Sequence, residues 1–341
     1  MDIVMADDGI VFDGDSMASG PLGGAETAFV SLAVALAGRG HRVRVFNMCA
    51  APMQRDGVYW APLAAGIPDR CDLYIANRSD QLLLAARRAK RAVFWIHNPA
   101  RYLLKSRYLL KLALRRPPIV FSGAWHATTY PGWAPCGGRA VIPYGISDVF
   151  RTVQPEGVPP PRAVFTSNPL RGLDWLLDIW RARIRPACPL AELHLYTGAA
   201  TYGGFGAARA ERMRPVLEKA DAMGELGVVR HGPVAKAKLA RALAACRVLL
   251  YRGDPGETFC LAVGEAQAAG VPAVVQPIGC VAERVIDGET GFVARDDAAF
   301  ADAAIRLLSD DALWRNQSVA ALALQRRWGW TEAAAAFEAL V

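Results

Sequence analysis

Residues 251–275, YRGDPGETFCLAVGEAQAAGVPAVV, decide how this chain is interpreted. An apolar run at residues 247–251 is typical of a strand, and the DPG triplet at residues 254–256 favours a turn. A helix is then predicted to begin near Thr258, whose hydroxyl suits an N-cap. Gly270 suits the left-handed position after the last turn, and the proline two residues later stops the helix before a second apolar run. The stretch therefore predicts a strand–helix–strand unit.

The predicted helix is apolar nearly all round, which indicates that it is buried, and Glu265 is its only charge. A buried carboxylate needs polar partners such as sugar hydroxyls, because an ionised group taken out of water is costly unless it is paired. Glu257 lies in the loop before the helix, at the carboxyl end of a strand, where open α/β sheets bind ligands. The unpaired amides of the first helical turn suit a phosphate. Taken alone, two glutamates at this spacing are common on protein surfaces.

The residues around both glutamates carry a resemblance. Residues 257–260 (ETFC), followed by Glu265 and residues 266–272 (AQAAGVP), resemble the E-x7-E donor-site segment of the family 4 retaining glycosyltransferases, glycosyl transferases group 1. The resemblance implies the GT-B fold, an α/β architecture of two Rossmann-like parallel-sheet domains with an interdomain cleft. It also implies that the donor substrate is a nucleoside diphosphate sugar.

Length and composition agree with two such domains. The chain has 341 residues, of which 53% are apolar and 21% charged, as in ordinary globular proteins. The start, MDIVMADDG, lacks the basic and apolar regions of a signal peptide, and no run approaches the ~20 apolar residues of a membrane span. A cytoplasmic location is expected. The seven cysteines are irregularly spaced without any CxxC, so neither a disulfide framework nor a zinc site is indicated.

The domain organisation follows from the proline-rich residues 155–162 (PEGVPPPR), which are typical of a semi-rigid linker. Residues 1–150 are predicted to form a Rossmann-like acceptor-side domain. Residues 151–328 are predicted to form a Rossmann-like domain that binds the nucleotide sugar. In the family a last helix commonly returns to the first domain, and residues 329–341 are its counterpart.

Three features of the first domain bear on the site. Gly23 and Gly24 open a predicted helix and resemble the family's Gly-Gly loop, which lets backbone amides approach the donor; a simple turn is the alternative. His97 follows a predicted strand, where a histidine of the family faces the donor sugar, although a lone histidine is more often structural. Asp13 and Asp15 form a D-x-D pair, which in the other large glycosyltransferase architecture holds a divalent metal. No long strand leads into that pair, and no GxGxxG follows the first strand, which counts against an NAD-binding domain.

The family places a cation on the diphosphate at the position of Arg171. A guanidinium binds phosphate oxygens bidentately and stabilises a departing diphosphate. Many members carry a second basic residue a few positions earlier, but residues 164–170 contain none. Arg252 is the candidate replacement.

By resemblance, Glu265 holds the ribose hydroxyls and Glu257 the sugar hydroxyls, and the glycine-containing segment 232–234 lies nearest the base. The predicted catalytic residues are His97, Arg171 and Glu257. The predicted donor-binding residues are Gly23, Gly24, Arg171, Gly232, Val234, Glu257, Thr258, Phe259, Cys260, Leu261 and Glu265. No metal ligand and no cofactor beyond the donor substrate are predicted.

The predicted function is transfer of a hexose, with retention and without metal, to an acceptor hydroxyl. The acceptor is expected to be a glycolipid, a lipopolysaccharide or another cell-envelope polysaccharide precursor, and no nucleic acid partner is expected. Two alternatives stay open. One is a non-catalytic binding subunit, against which the intact candidate residues count. The other is a sugar-nucleotide epimerase of the same fold, which would form product without acceptor.

Residues 78–116 contain eleven lysines and arginines against Asp80 alone. Helical periodicity predicts a core-facing stripe of Tyr102, Leu103, Leu109, Leu110, Ala113 and Leu114. It predicts an outward face of Arg101, Lys105, Lys111 and Arg115 interleaved with Leu104, Tyr108 and Leu112. A basic face with apolar residues suits an anionic membrane or a phosphorylated acceptor. Peripheral attachment to the inner membrane face through residues 101–116 is therefore expected, the alternative being a solvated helix packed on a neighbour.

Overall fold

The computed structural model describes residues 1–20, 22–198 and 206–341, the first four residues of the last range by their backbone alone. The chain divides into two compact units, Met1–Gly145 with Trp328–Val341, and Ile146–Arg327. The sequence predicts this division at residue 150, and the units divide between Gly145 and Ile146. In the part of the chain that is described, no helix is both long and apolar enough to cross a membrane.

The strands, in chain order, are β1 (Asp2–Ala6), β2 (Arg42–Asn47), β3 (Met53–Arg55), β4 (Val58–Pro62), β5 (Leu73–Asn77), β6 (Arg91–Trp95), β7 (Ile119–Phe121), β8 (Arg139–Val141), β9 (Arg162–Phe165), β10 (Glu192–Leu195), β11 (Val228–Arg230), β12 (Val248–Tyr251), β13 (Ala273–Val275) and β14 (Gly291–Val293). The helices are α1 (Ser16–Ser19), α2 (Gly24–Gly38), α3 (Ser106–Arg115), α4 (Ala124–Thr128), α5 (Asp148–Arg151), α6 (Leu173–Ile179), α7 (Arg185–Ala187), α8 (Gly206–Asp221), α9 (Lys236–Ala244), α10 (Leu261–Ala268), α11 (Asp297–Ser309), α12 (Asp311–Gln325) and α13 (Trp330–Glu338).

The first unit is built on an eight-stranded sheet in the order β3-β4-β2-β1-β5-β6-β7-β8. Every neighbouring pair is parallel except β3 with β4. The central strands are buried on both faces, as β1 illustrates with Ile3, Val4 and Met5 fully inaccessible. Apolar strands of this kind are typical of parallel sheets covered by helices on both sides. The carboxyl ends of β1, β5 and β6 therefore lie side by side.

The second unit has a six-stranded, all-parallel sheet in the order β11-β10-β9-β12-β13-β14. Counted within the unit, this is the order 3-2-1-4-5-6 of doubly wound nucleotide-binding domains. The strand order reverses between β9 and β12, where such sheets bind ligands beyond the carboxyl ends of the strands. The predicted fold class, two Rossmann-like parallel-sheet domains, is confirmed.

The last helix, α13, packs in the first unit against α2. Phe337 meets the ring of Trp95 at 5.2 Å between centroids, and Trp330 stacks on Tyr144 at 6.2 Å. A Cβ added to Gly145 would overlap the backbone of Gly329 and Trp330. This close packing explains why the chain end belongs to the first unit.

The prediction of which side chains of residues 101–116 face the core is wrong for those in α3. A 3-10 helix spans Ala100–Leu104, and Lys105 is extended before α3 begins, so the break shifts the helical phase. Tyr108 and Leu112 are buried, whereas Leu110 and Leu114 are 72% and 77% exposed.

Two cations of α3 also turn toward the protein. Lys111 Nζ lies 2.7 Å from Oδ2 of Asp80. Arg115 donates to the carbonyl oxygens of Leu83 and Ala86 at 2.8 and 2.7 Å. These two side chains anchor α3, so the solvent-facing side of the helix is mainly apolar, with cations at its margins.

Candidate functional site

Glu257 lies at the carboxyl end of β12, at the point where the strand order of the second unit reverses. Its Oε1 is 3.1 Å from Nη1 of Arg171, which follows β9, and its Oε2 accepts a hydrogen bond of 2.6 Å from the hydroxyl of Tyr251. Burial raises the pKa of Glu257, although the charge of Arg171 opposes that effect. Burial likewise raises the pKa of Tyr251, so its hydroxyl stays a donor. The topology thus brings together two of the predicted catalytic residues.

The helix after Glu257 begins later than the sequence predicts. Thr258 is not the N-cap; Cys260 is, with φ of 62° and ψ of 74°, and α10 starts at Leu261. A left-handed residue cannot continue a right-handed helix, which is why residues 258–260 stay outside it. Phe259 in this loop is buried beneath the guanidinium of Arg284, 4.2 Å from the ring centroid. The predicted end is confirmed, since Gly270 has φ of 85°.

The start of α10 is suited to an anion. The first amides of a helix have no intrahelical partner, and the helix dipole places positive potential there. Non-glycine residues with positive φ, such as Cys260, are found preferentially at functional sites because the strain must be supported by the surroundings. Burial raises the pKa of the Cys260 thiol well above its ordinary value, so the thiol adds no negative charge at this end of the helix.

Glu265 lies one turn into α10 and is 8% exposed. Its Oε1 is 2.6 Å from Nζ of Lys236, the first residue of α9. The prediction that Glu265 is buried and has a polar partner is confirmed, but the partner within the protein is a lysine. The pair brings the segment after β11 to the side of α10.

The predicted base-binding segments also meet in the second unit. Gly232 has φ of 70°, and Pro233 packs at the position where Gly198 would carry a Cβ, with its Cδ 3.1 Å away. Val234 is two residues before Lys236. Residues 199–205, which follow the predicted strand end at 194–198, lie outside the described residues.

Besides Arg171, two arginines lie near the predicted diphosphate site. Arg252 follows β12 directly; its guanidinium covers the ring of Trp175 and its Nε donates to Gln276. Arg284 donates to Oε1 of Gln325, and no carboxylate of the described residues lies within ion-pair distance of it. Burial lowers the pKa of Arg284, although the charge of Glu283 acts in the opposite direction.

The first unit has a second polar cluster at the carboxyl ends of β1 and β5. Asp7 is fully buried and accepts hydrogen bonds from Nε and Nη2 of Arg78 at 2.9 and 3.0 Å. Nη1 of Arg78 donates to Glu26 at 2.8 Å, and a Cβ on Gly23 would collide with Glu26. Burial alone would lower the pKa of Arg78, but both carboxylates raise it. Gly23, as N-cap of α2, and the adjacent Gly24 therefore lie beside a compensated ion cluster.

His97 extends this cluster. Nδ2 of Asn77 donates to Asp7 at 2.5 Å, so the amide oxygen of Asn77 faces Nε2 of His97 at 2.6 Å. Nε2 must then carry the proton, and Nδ1 accepts from the hydroxyl of Tyr144 at 2.5 Å. Burial lowers the pKa of His97 well below its ordinary value. The structure thus holds His97 as a neutral imidazole of one tautomer, and its contact with a sugar stays a prediction.

The D-x-D pair lies in the loop before α1, where both carboxylates have protein partners. Asp13 accepts a hydrogen bond of 2.9 Å from Ser16 Oγ, and Asp15 lies 3.2 Å from Nε of Arg55. Among the described residues, no group of three His, Cys, Asp or Glu side chains is arranged to hold a metal ion.

The predicted residues thus form one cluster in each unit. Gly23, Gly24 and His97 belong to the first, and Arg171, Gly232, Val234, Glu265 and residues 257–261 belong to the second. Sequence reasoning missed Asp7, Asn77 and Arg78, although Asn77 is the last residue of β5 and the other two directly follow strands. It also missed Lys236, whose signal is a cation at the start of a helix, where the dipole disfavours it.

Part of the second unit is similar in sequence to known proteins. Residues 160–310 match the family model described as Glycosyl transferases group 1. A segment of 111 residues is 37% identical to D-inositol 3-phosphate glycosyltransferase of Xylanimonas cellulosilytica, covering 32% of this chain and 26% of that protein. Another of 111 residues is 34% identical to phosphatidyl-myo-inositol mannosyltransferase of Mycobacterium leprae, covering 31% and 30%. The chain therefore matches less than a third of either relative's length.

Solved structures show the fold over the whole chain. Sucrose-phosphate synthase from Thermosynechococcus elongatus superposes with a TM-score of 0.76 at 17% identity, covering 100% of this chain and 98% of that one. Anabaena HepE in complex with UDP-glucose superposes with a TM-score of 0.72 at 17% identity, covering 99% and 98%.

Proposed function

Because residues 160–310 match the family model described as Glycosyl transferases group 1, we propose that the protein is a glycosyltransferase that moves a hexose from a nucleoside diphosphate sugar to an acceptor hydroxyl with retention. The observation that carries this proposal is the pair of buried glutamates, Glu257 and Glu265, on either side of the start of α10. Each is held by a cation from another element, Arg171 and Lys236 respectively.

In the proposed complex the donor extends along the start of α10. Glu265 accepts hydrogen bonds from the ribose, and the amides from Thr258 to Leu261 bind the diphosphate together with Arg171. Glu257 accepts from hydroxyls of the sugar. Glu257 is already bonded to Arg171, so the same guanidinium links the diphosphate site to the sugar site.

The chemistry we propose is a substitution on one face of the sugar. The bond between the anomeric carbon and the diphosphate oxygen breaks, and a bond from the acceptor oxygen forms on the same face. The acceptor proton passes to the departing diphosphate. Preorganised cations and amides stabilise the charge that develops on the leaving group, which is the largest contribution that a protein makes to such reactions. We propose that this protein needs no metal or cofactor for the transfer.

For the acceptor we propose a phosphorylated or lipid-linked glycan precursor of the cell envelope, since the names of two relatives refer to inositol phosphate and phosphatidylinositol. We also propose peripheral attachment to anionic membrane through α3. Leu110 and Leu114 face solvent there, and Arg101 and Lys105 are exposed in the segment that leads into α3. Trp133 is 72% exposed in the loop that bonds to the end of α3 through Arg116 and Cys136.

Calorimetry with UDP, GDP, ADP and dTDP tests the donor site. One of these should bind the wild type, and Glu265→Ala and Arg171→Ala should each weaken that binding roughly ten- to a hundredfold, since a hydrogen bond to a charged group contributes about 1.5–3 kcal/mol. Glu225→Ala and Arg183→Ala, at exposed positions of the same unit, are the matched controls.

Transfer is then assayed with the sugar form of the nucleotide that binds. Product should form only when acceptor is present, with the anomeric configuration of the donor, and excess EDTA should not slow it. Affinity that is unchanged in both Glu265→Ala and Arg171→Ala would overturn the donor site. Activity that is lost with EDTA and restored by Mn²⁺ would return the D-x-D pair to consideration.

A further inference from the structure

Lys236 contacts one of the two carboxylate oxygens of Glu265. Its Nζ is 2.6 Å from Oε1, and no donor among the described residues bonds to Oε2. The ammonium also lies over the ring of Phe150, 5.5 Å from the centroid. The lysine is therefore held between α5 and α10, and one oxygen of a nearly buried carboxylate has no partner within the described part of the chain.

The place of Lys236 in its helix needs an explanation. It is the first residue of α9, the first turn contains no acidic residue, and Lys238 adds a second cation there. A cation at a helix N-terminus opposes the helix dipole, so the lysine does not stabilise α9. Its partner lies 29 residues away on another helix, which indicates that the position serves Glu265.

We infer that Lys236 is a positioning residue for the nucleoside end of the donor. It holds Glu265 by Oε1 and aims Oε2 at the ribose, where this oxygen accepts from the vicinal hydroxyls. The ammonium also compensates the negative charge, which a buried carboxylate needs in order to remain an acceptor. This inference rests on the proposed function and goes beyond it, since it assigns the recognition of the ribose diol to a pair of residues.

A purely structural ion pair between α9 and α10 would have a different consequence. It would change the stability of the second unit and leave the preference for a ribose diol as it was. The ratio of affinities for a nucleoside diphosphate and its 2′,3′-dideoxy analogue therefore separates the two roles, since only the first ligand offers hydroxyls to Oε2.

The experiment measures this ratio by calorimetry, with the nucleoside diphosphate that binds the wild type, in Lys236→Met, Lys236→Arg, Glu265→Gln and the double variant Lys236→Met/Glu265→Gln. Wild type should prefer the diol by roughly tenfold or more, as for hydrogen bonds to a charged acceptor. Glu265→Gln should lose most of the preference, and Lys236→Met a large part of it. Lys236→Arg should keep most of it, and the double variant should resemble Glu265→Gln.

Lys238→Met, on the exposed side of the same helix, is the control and should leave the ratio unchanged. If Lys236→Met does not fold, Lys236→Gln takes its place, because it keeps a polar side chain of similar length. A lower melting temperature with an unchanged ratio would overturn the inference and leave the proposed function standing. If the wild type binds none of the nucleoside diphosphates, both the inference and the proposed function are overturned.

Discussion

Two histidines of the first unit are held neutral by hydrogen bonds that define their tautomers. The amide of Ser122 donates to Nδ1 of His126 at 3.1 Å, and Nε2 of His126 donates to the carbonyl of Asn98 at 2.9 Å. Burial lowers the pKa of His126 to about 4. His97 is held in the same protonation state by Asn77 and Tyr144. Burial determines the protonation state of both histidines, because a charged imidazole would lose its hydration and also one hydrogen bond that the neutral ring accepts.

The two histidines should make the first unit sensitive to acid. An unfolded histidine takes a proton below pH 6.5, whereas folded His126 stays neutral until about pH 4, so the unfolded state binds more protons in this window. Stability should therefore fall as the pH drops from 6.5 to 4, by about 3 kcal/mol for His126. The melting temperature, measured between pH 4 and 6.5, should depend less steeply on pH in His126→Gln than in wild type. An equal pH dependence in the two proteins would contradict the conclusion that folded His126 is neutral in this range.

At the scale of single elements, α3 shows how one break changes a surface. Lys105 is extended between the 3-10 helix Ala100–Leu104 and α3, and this turns Tyr108 and Leu112 inward. Lys111 and Arg115 then bond to the protein, so replacing them with glutamate would damage the fold before it tested a membrane surface. The exposed leucines are the better targets.

Liposome co-sedimentation tests the membrane proposal. Wild type should pellet with vesicles containing anionic lipid at low salt and less so at high salt, since each cation near the surface contributes about 1 kcal/mol. Leu110→Ser/Leu114→Ser should reduce the partition coefficient roughly tenfold or more, because burying each leucine contributes about 1.5–3 kcal/mol. Val319→Ser, an exposed apolar residue of α12, is the control. Wild type that stays in the supernatant with every lipid would show that this face has another role.

At the scale of the whole molecule, the chain crosses into the second unit and then returns. Residues 328–341 complete the first unit, where α13 packs on α2 and Glu338 accepts a hydrogen bond of 2.8 Å from Nη2 of Arg39. The stability of the first unit therefore depends on residues that follow the whole second unit in the sequence. Gly145 lies so close to the start of α13 that a substitution at this position tests this dependence directly.

Gly145→Ala should destabilise the first unit, because its Cβ would overlap the backbone of Gly329 and Trp330 and overpacking costs about 1–3 kcal/mol. Hydrogen exchange should rise in α2, α13 and β6 while the second unit stays protected. Gly38→Ala is the control, since nothing lies within 4 Å of its Cβ position. Equal protection of α13 in both variants would mean that this contact does not hold the helix.

Much of the fold could be predicted from the sequence because its signals are local. Apolar runs with strand propensity, turn chemistry at residues 254–256 and the left-handed Gly270 depend on neighbours along the chain. They predicted parallel α/β units, and the spacing of Glu257 and Glu265 predicted carboxylates at the end of a strand and inside a buried helix. The sequence by itself determined these features, since periodicity and backbone preference act over a few residues.

Only the tertiary structure decided which groups meet. The cation that pairs with Glu265 lies 29 residues away, the one that pairs with Glu257 lies 86 residues away, and Asp7 and Asn77 are 70 residues apart. The start of α10 at Leu261 and the outward turn of Leu110 likewise depend on packing that a local pattern does not contain. These features follow from burial and charge pairing between distant segments, which the order of strands in the two sheets brings together.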